Sequence, residues 1–407
     1  MQKYLNPSTI YLFCWIVLAF LPYVFFSSKI ILLLLLYFSI TSIYYTFVLV
    51  SNRQTPVYFK FLIPFVIVLC FYGGGLIFIG DDVYWRASAE YVEKYYYILW
   101  LLTSMMSSVP IYIFTCRGWI NDREMKVLFF ILLFSCIYAY NESLQFQIKN
   151  AALLGLDQTE FTITCVYSFL SIIPLIILFK KRMLLQFALM CVIFIYCVLG
   201  AKRGPVFLSG IASIFLIFYI FGQSVLWKKM LALVIAMACF VGLYEFIVFQ
   251  MESSPYFASR IEQTLEGNAS RRDIYLKTIM DYFMNNTSNK QFLLGLGAQG
   301  TLSVNESYAH NDWIGILLEQ GVFGLLLYLL YWIGFVISWI KSKDNADCFV
   351  ALGLLIIIGL GKTLFSMYYL PITAEMITSS GFFAITLGFF LAKAFPQVEH
   401  EVSGEES

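Results

Sequence analysis

One of the chain's two histidines, His310, closes the longest polar stretch and directly precedes a strongly apolar run. An imidazole at a junction between water and a low-dielectric layer is suited to moving a proton, because its charge changes near neutral pH. The residues after it read Asn311-Asp312-Trp313-Ile314-Gly315-Ile316-Leu317-Leu318-Glu319-Gln320-Gly321. Val322 to Ile340 is by itself long enough to cross a bilayer. The stretch 310–320 is therefore surplus length: a short helix outside or partly entering the membrane, ended or kinked at Gly321. The unpaired N–H groups at its start attract anions and favour a neutral imidazole. A neutral His310 is then a general base for a hydroxyl.

Cations occur where an apolar chain has little use for them. Leu199-Gly200-Ala201-Lys202-Arg203-Gly204-Pro205 is a tight basic turn between two apolar runs, and Lys362 lies inside another, near its end. Charges kept in or beside membrane segments tend to mark substrates, so Lys202, Arg203 and Lys362 suggest an anion site. The plainer reading is two tolerated turn charges and a snorkelling lysine. Within the polar stretch 250–309, Asn268-Ala269-Ser270 reads as an N-cap for a helix from Arg271 to Met284. That helix has Ile274, Tyr275, Ile279, Tyr282 and Phe283 at helical spacing, with Arg271, Arg272 and Lys277 adding charge. Phe257 to Leu265 supplies one or two further helical turns. Gly295-Leu296-Gly297-Ala298-Gln299-Gly300 is a literal G-x-G-x-x-G, but it falls between membrane helices rather than after the strand of a βαβ unit. It reads as a turn that lets backbone approach a substrate or the helix beneath it.

The elements that must position these groups are apolar helices. Of 407 residues 60% are hydrophobic and 13% charged, and the mean hydropathy is +0.80, which describes a polytopic membrane protein rather than a soluble domain. A net charge of +1 gives no basis for nucleic-acid binding. The nine cysteines lie in or beside apolar runs without metal-ligand spacing and read as packing residues. Twelve candidate spans lie near 9–26, 30–50, 57–80, 95–115, 127–140, 161–179, 183–200, 205–222, 230–249, 322–340, 348–366 and 377–395. Continuous apolarity without a period of two makes them helices, not barrel strands. The first reads as a retained helix, since no small-residue cleavage site follows it. With the N-terminus inside, the inner short loops hold thirteen lysines and arginines and the outer ones six. Both termini are then cytoplasmic and 250–309 is external. Residues 1–395 read as one transmembrane domain with a helical cap at 250–320, and 396–407 as a cytoplasmic tail.

Together these residues carry a resemblance. His310-Asn311, nine residues, Gly321, two residues and Gly324 resemble the histidine signature of the bacterial O-antigen polymerase and O-antigen ligase superfamily. Arg271 with Tyr275 four residues on, the Gly295-Leu296-Gly297 turn, the Lys202-Arg203-Gly204 turn and the large external loop after the ninth span are similar as well. Specific similarity covers roughly 199–205 and 268–330; the N-terminal half matches in hydropathy alone. The resemblance implies an all-α membrane glycosyltransferase, GT-C-like, of the bacterial inner membrane, working at the periplasmic face without metal or other cofactor. The donor would be a glycan on undecaprenyl pyrophosphate. Arg203 and Arg271 would stabilise the departing pyrophosphate, and His310 would deprotonate the acceptor hydroxyl, with inversion at C1. Lys202, Arg272, Asn311, Lys362 and Tyr275 would line the substrate.

A polymerase joins one lipid-linked repeat unit to another, whereas a ligase passes the glycan to lipid A core. Abundant Phe (40) and Tyr (28) suggest AT-rich coding, commoner in glycan-specific gene clusters, and tip the reading to the polymerase. A chain-length regulator is then a possible partner, along with the bilayer itself. The alternative from another class, a lipid-sugar flippase or transporter, would suit twelve helices, but the chain has no comparable halves. Asp81 and Asp82 read as ordinary loop charges. Glu319, nine residues beyond His310, stands about 13 Å further along a helix and so cannot touch it.

Overall fold

A computed structural model describes residues 6–24, 28–51, 55–78, 94–153, 161–265, 272–305, 309–366, 368–369 and 374–396. Every regular element among them is a helix. The chain begins with α1 (Pro7–Val24), α2 (Ser28–Val50), α3 (Val57–Phe78), α4 (Lys94–Met106), α5 (Ser108–Cys116), α6 (Asp122–Leu153), α7 (Tyr167–Ile172) and α8 (Met183–Leu199). It continues through α9 (Arg203–Gln223) and α10 (Leu226–Ser253) to four shorter helices: α11 (Pro255–Leu265), α12 (Arg272–Asn285), α13 (Asn289–Leu294) and α14 (Gly300–Asn305). Last come α15 (Asp312–Lys341), α16 (Ala346–Phe365) and α17 (Ala374–Ala394).

Among the described residues nine helices are long and apolar enough to cross a membrane. Shorter apolar helices cover Pro7–Phe20, Thr164–Phe179 and Met183–Leu199. The surface they present is incompatible with water. On α10 only Ala232 is buried, while Leu226, Trp227, Met230, Val234, Phe240 and Tyr244 are exposed. A continuous apolar face of that extent far exceeds what a soluble protein leaves open, and helices, which satisfy their own backbone, are the form in which such a chain can sit in lipid.

The core gathers on α17, where glycines allow close approach. A Cβ at Gly381 would collide with Trp15, and one at Gly388 with the Ser108 carbonyl of α5. Likewise α15 packs on α3 with Phe61 against Gly334. Beside it, the Tyr58 N–H donates to Ser338 Oγ (3.0 Å), and the Tyr331 hydroxyl lies 3.3 Å from that of Tyr58 and 3.1 Å from that of Tyr368. Ion pairs between Lys180 and Asp347 and between Lys393 and Asp122, both 2.6 Å, tie the helices together at one end. The four short helices sit at the opposite end.

Three elements differ from their sequence expectation. The fifth expected span, 127–140, belongs to a helix of 32 residues, because Asn141, Glu142, Gln145, Gln147 and Lys149 end the apolar run without ending the helix. The sixth, 161–179, is α-helical only at α7 and 3-10 on both sides. Pro174 has no N–H for the Leu170 carbonyl, which accepts from Ile173 instead, and the Ser171 carbonyl takes the Thr386 hydroxyl (3.1 Å). Finally, the turns expected from Phe257 to Leu265 form a helix of 11 residues.

Candidate functional site

The site is built around a broken helix. At Gly321, φ is 67° and ψ is −167°, so α15 consists of an outer piece, Asp312 to Gln320, and a longer one from Val322. The break leaves the Leu318 and Glu319 carbonyls without the N–H groups that a continuous helix would bring to them. Leu296 N–H and Gly297 N–H supply the replacements, each at 2.9 Å. Such contact needs bare backbone on both sides: a Cβ at Gly295 would collide with the Glu319 carbonyl, and one at Gly321 with that of Leu293. The G-x-G-x-x-G stretch thus closes on the helix beneath it. Ser288 and Gln291 form a reciprocal capping box that starts α13 and delivers this turn, and the Tyr72 hydroxyl donates to the Leu294 carbonyl (2.5 Å).

The outer piece begins at His310. Asn311 is its N-cap, the side-chain oxygen accepting from Ile314 N–H at 3.2 Å. His310 itself is half-buried, with φ at 49°, a left-handed turn that brings the chain sharply into the helix. Asp312 is buried, and its carboxylate accepts the Tyr328 hydroxyl (2.9 Å) and the backbone N–H groups of Tyr368 (3.0 Å) and Tyr369 (3.3 Å). Glu319, also buried, accepts the hydroxyls of Thr301 (2.7 Å) and Tyr369 (3.2 Å). Two carboxylates therefore clamp Tyr368 and Tyr369, just beyond α16, to the His310 helix. The Trp313 indole N–H, donating to the Thr363 hydroxyl at 3.0 Å, fixes the same helix to α16. From the other side α12 presses Ile279 and Phe283 against Ala309 and Leu318.

The basic turn joins α8 to α9. Ala201 takes φ of 50°, Lys202 is the N-cap, and Arg203, Gly204 and Pro205 form the first turn of α9, where the missing proline N–H costs nothing. Lys202 Nζ donates to Thr164 Oγ1 (2.8 Å), and Gly200 backs onto Val166. Arg203 is half-buried. Deeper along the same face, Leu208 of α9 fills the space beside Gly361 of α16, next to Lys362.

Lys362 does not snorkel. It is buried, with Nζ donating to Ser379 Oγ (3.1 Å) and Ser380 Oγ (3.4 Å) on α17 and lying 5.8 Å from the centre of the Tyr167 ring.

The helices carrying Lys202, Arg203, Asn311, His310 and Lys362 thus meet at one end of the bundle. Tyr275, half-buried, lies on α12. Arg272 opens α12, its side chain beyond what is described; Arg271, the expected 268–270 cap, and Asp81 with Asp82 lie outside the described residues. Sequence reasoning gave no role to Asp312, nor to Gln320, whose fully buried amide has no protein partner at either atom among the described residues. No group of three His, Cys, Asp or Glu side chains converges among the described residues as a metal-ligand set. No family model matches the chain, and no curated protein matches it.

Proposed function

We propose that the chain is an inverting glycosyltransferase of surface-polysaccharide synthesis, an O-antigen-type repeat-unit polymerase acting on undecaprenyl-pyrophosphate-linked glycans. In this reading it crosses the bacterial inner membrane twelve times, with both termini cytoplasmic and the helical cap periplasmic. His310 removes the proton from the acceptor hydroxyl, whose oxygen attacks C1 of the donor sugar from the face opposite the pyrophosphate. The C1–oxygen bond to phosphate breaks, undecaprenyl pyrophosphate leaves with the electron pair, and the configuration at C1 inverts. Guanidinium groups of Arg203 and Arg271 bear the developing charge, with Lys202, Arg272 and Lys362 adding positive potential. Asn311 and Tyr275 contact substrate, and the polyprenyl tail lies against lipid-facing helices.

The observation that carries this reading is the His310 turn. A half-buried imidazole is held at the mouth of a helix whose other end is broken and capped by backbone. In this reading the turn holds the proton acceptor, and Arg203 and Lys362 lie on α9 and α16, which pack on each other as α16 does on the His310 helix.

The test is a glycan gel of a deletion strain supplied with wild type, Arg203→Ala or His310→Ala. Lipopolysaccharide core bearing a single repeat identifies a polymerase; bare core with accumulated lipid-linked polymer identifies a ligase. Full rescue of the defect by both variants would overturn the catalytic assignment.

A further inference from the structure

We propose that the groove between α12 and α14 is a glycan subsite, holding a sugar ring of the chain beside the His310 turn; this rests on the transferase reading above. The groove, open to solvent, has a volume of about 340 Å³ and is lined by Thr278, Asp281, Tyr282, Asn285, Asn286 and Val304. That volume falls in the range of small-ligand sites, roughly 300–1,000 Å³.

The lining is specific in its chemistry. Two amides, two hydroxyls and one carboxylate offer both donors and acceptors, with acceptors in excess, and the described lining includes no lysine, arginine or histidine. A phosphate would meet the Asp281 carboxylate in the lining. A divalent cation would find a single negative charge, Asp281, to offset the loss of its hydration shell. A neutral polyol, whose hydroxyls both donate and accept, fits the set. Four of the six lining residues, Thr278, Asp281, Asn285 and Asn286, are exposed and present their polar groups to the groove.

Tyr282 gives the groove a firm wall. Its ring packs on the cluster formed by Ile279, Phe283, Ala309 and Leu318, which leaves an aromatic surface of fixed position for the C–H face of a pyranose. Ala309 in that cluster immediately precedes His310, and Val304 lies six residues before it. Groove and proton acceptor belong to one packed unit.

The experiment uses the full-length protein in nanodiscs and saturation-transfer NMR. One probe is the oligosaccharide freed by mild acid from the host's polyprenyl-linked glycan, the other inorganic pyrophosphate. Tyr282→Ala removes the aromatic wall, and Asn286→Trp, at an exposed position that the fold does not need, fills the groove. Each is expected to weaken oligosaccharide binding roughly tenfold or more while pyrophosphate binding stays at the wild-type level. Oligosaccharide binding unchanged in Asn286→Trp, or absent from wild type, would overturn the subsite. Failure of the transferase reading is registered separately, as polymer still made by His310→Ala; loss of sugar binding in the two groove variants would support the subsite even then.

Discussion

Gly295 and Gly321 meet backbone to backbone: a Cβ on Gly321 would stand 2.6 Å from the Gly295 amide nitrogen, and the two residues hold φ at 75° and 67°. Each position excludes a side chain twice, by conformation and by contact. Gly321→Ala and Gly295→Ala are expected to cost at least about 1–2 kcal/mol from the left-handed backbone alone, with more from the collision. Thermal unfolding in detergent should show both, whereas Gly74→Ala, with open space around it, should melt like wild type.

Asp312 makes a second prediction, because three donors converge on its carboxylate in the bundle interior. Asp312→Ala strands them, at about 1–3 kcal/mol for each buried group left unpaired. Asp312→Asn retains one acceptor oxygen and should fall between that variant and wild type. Unfolding temperature reads the cost directly.

At Arg203 the expected result is chemical rather than structural. In the proposed transfer, Arg203→Lys keeps the charge but loses the planar fork that would grip a pyrophosphate in two places. It should fold normally and make polymer at a small fraction of the wild-type rate. On the proposed mechanism His310→Ala removes the general base and should slow transfer by roughly 10²–10⁴-fold, measured as polymer formed from purified lipid-linked glycan. Lysine restoring the full rate would remove the need for bidentate contact.

The break at Gly321 was legible in the sequence by arithmetic alone, since His310 to Ile340 is longer than a membrane needs. So was the basic turn, because Lys202 and Arg203 leave too few residues between two apolar runs for anything but a tight connection. The helices α13 and α14 were not, being too short for periodicity to register, although Ser288-Asn289-Lys290-Gln291 carries a capping-box spacing that marks the start of α13. The role of Asp312 could not be read at all. Its partners stand as many as 57 residues away, at Tyr369, and an acidic residue in a first helical turn looks complete as a partner for the helix dipole. Lys362 is the opposite case: the sequence marked it as unusual, but only packing decides whether a lysine reaches outward or bonds to Ser379 and Ser380.

A fourth prediction concerns α10. Phe240 is exposed, so Phe240→Asp would place a carboxylate against hydrocarbon at a cost of about 3 kcal/mol. Membrane-inserted yield should drop sharply, while Ser224→Asp, at the C-cap of α9, should leave it unchanged. Equal yields would mean that this face of α10 is covered by protein.

The length of α6 has a topographic consequence. Tyr140 donates to the Leu199 carbonyl (3.3 Å), level with the basic turn, and the helix continues to Leu153. That continuation rises about 20 Å. On the side of α6, Arg203 therefore lies at the foot of a parapet rather than on an open rim.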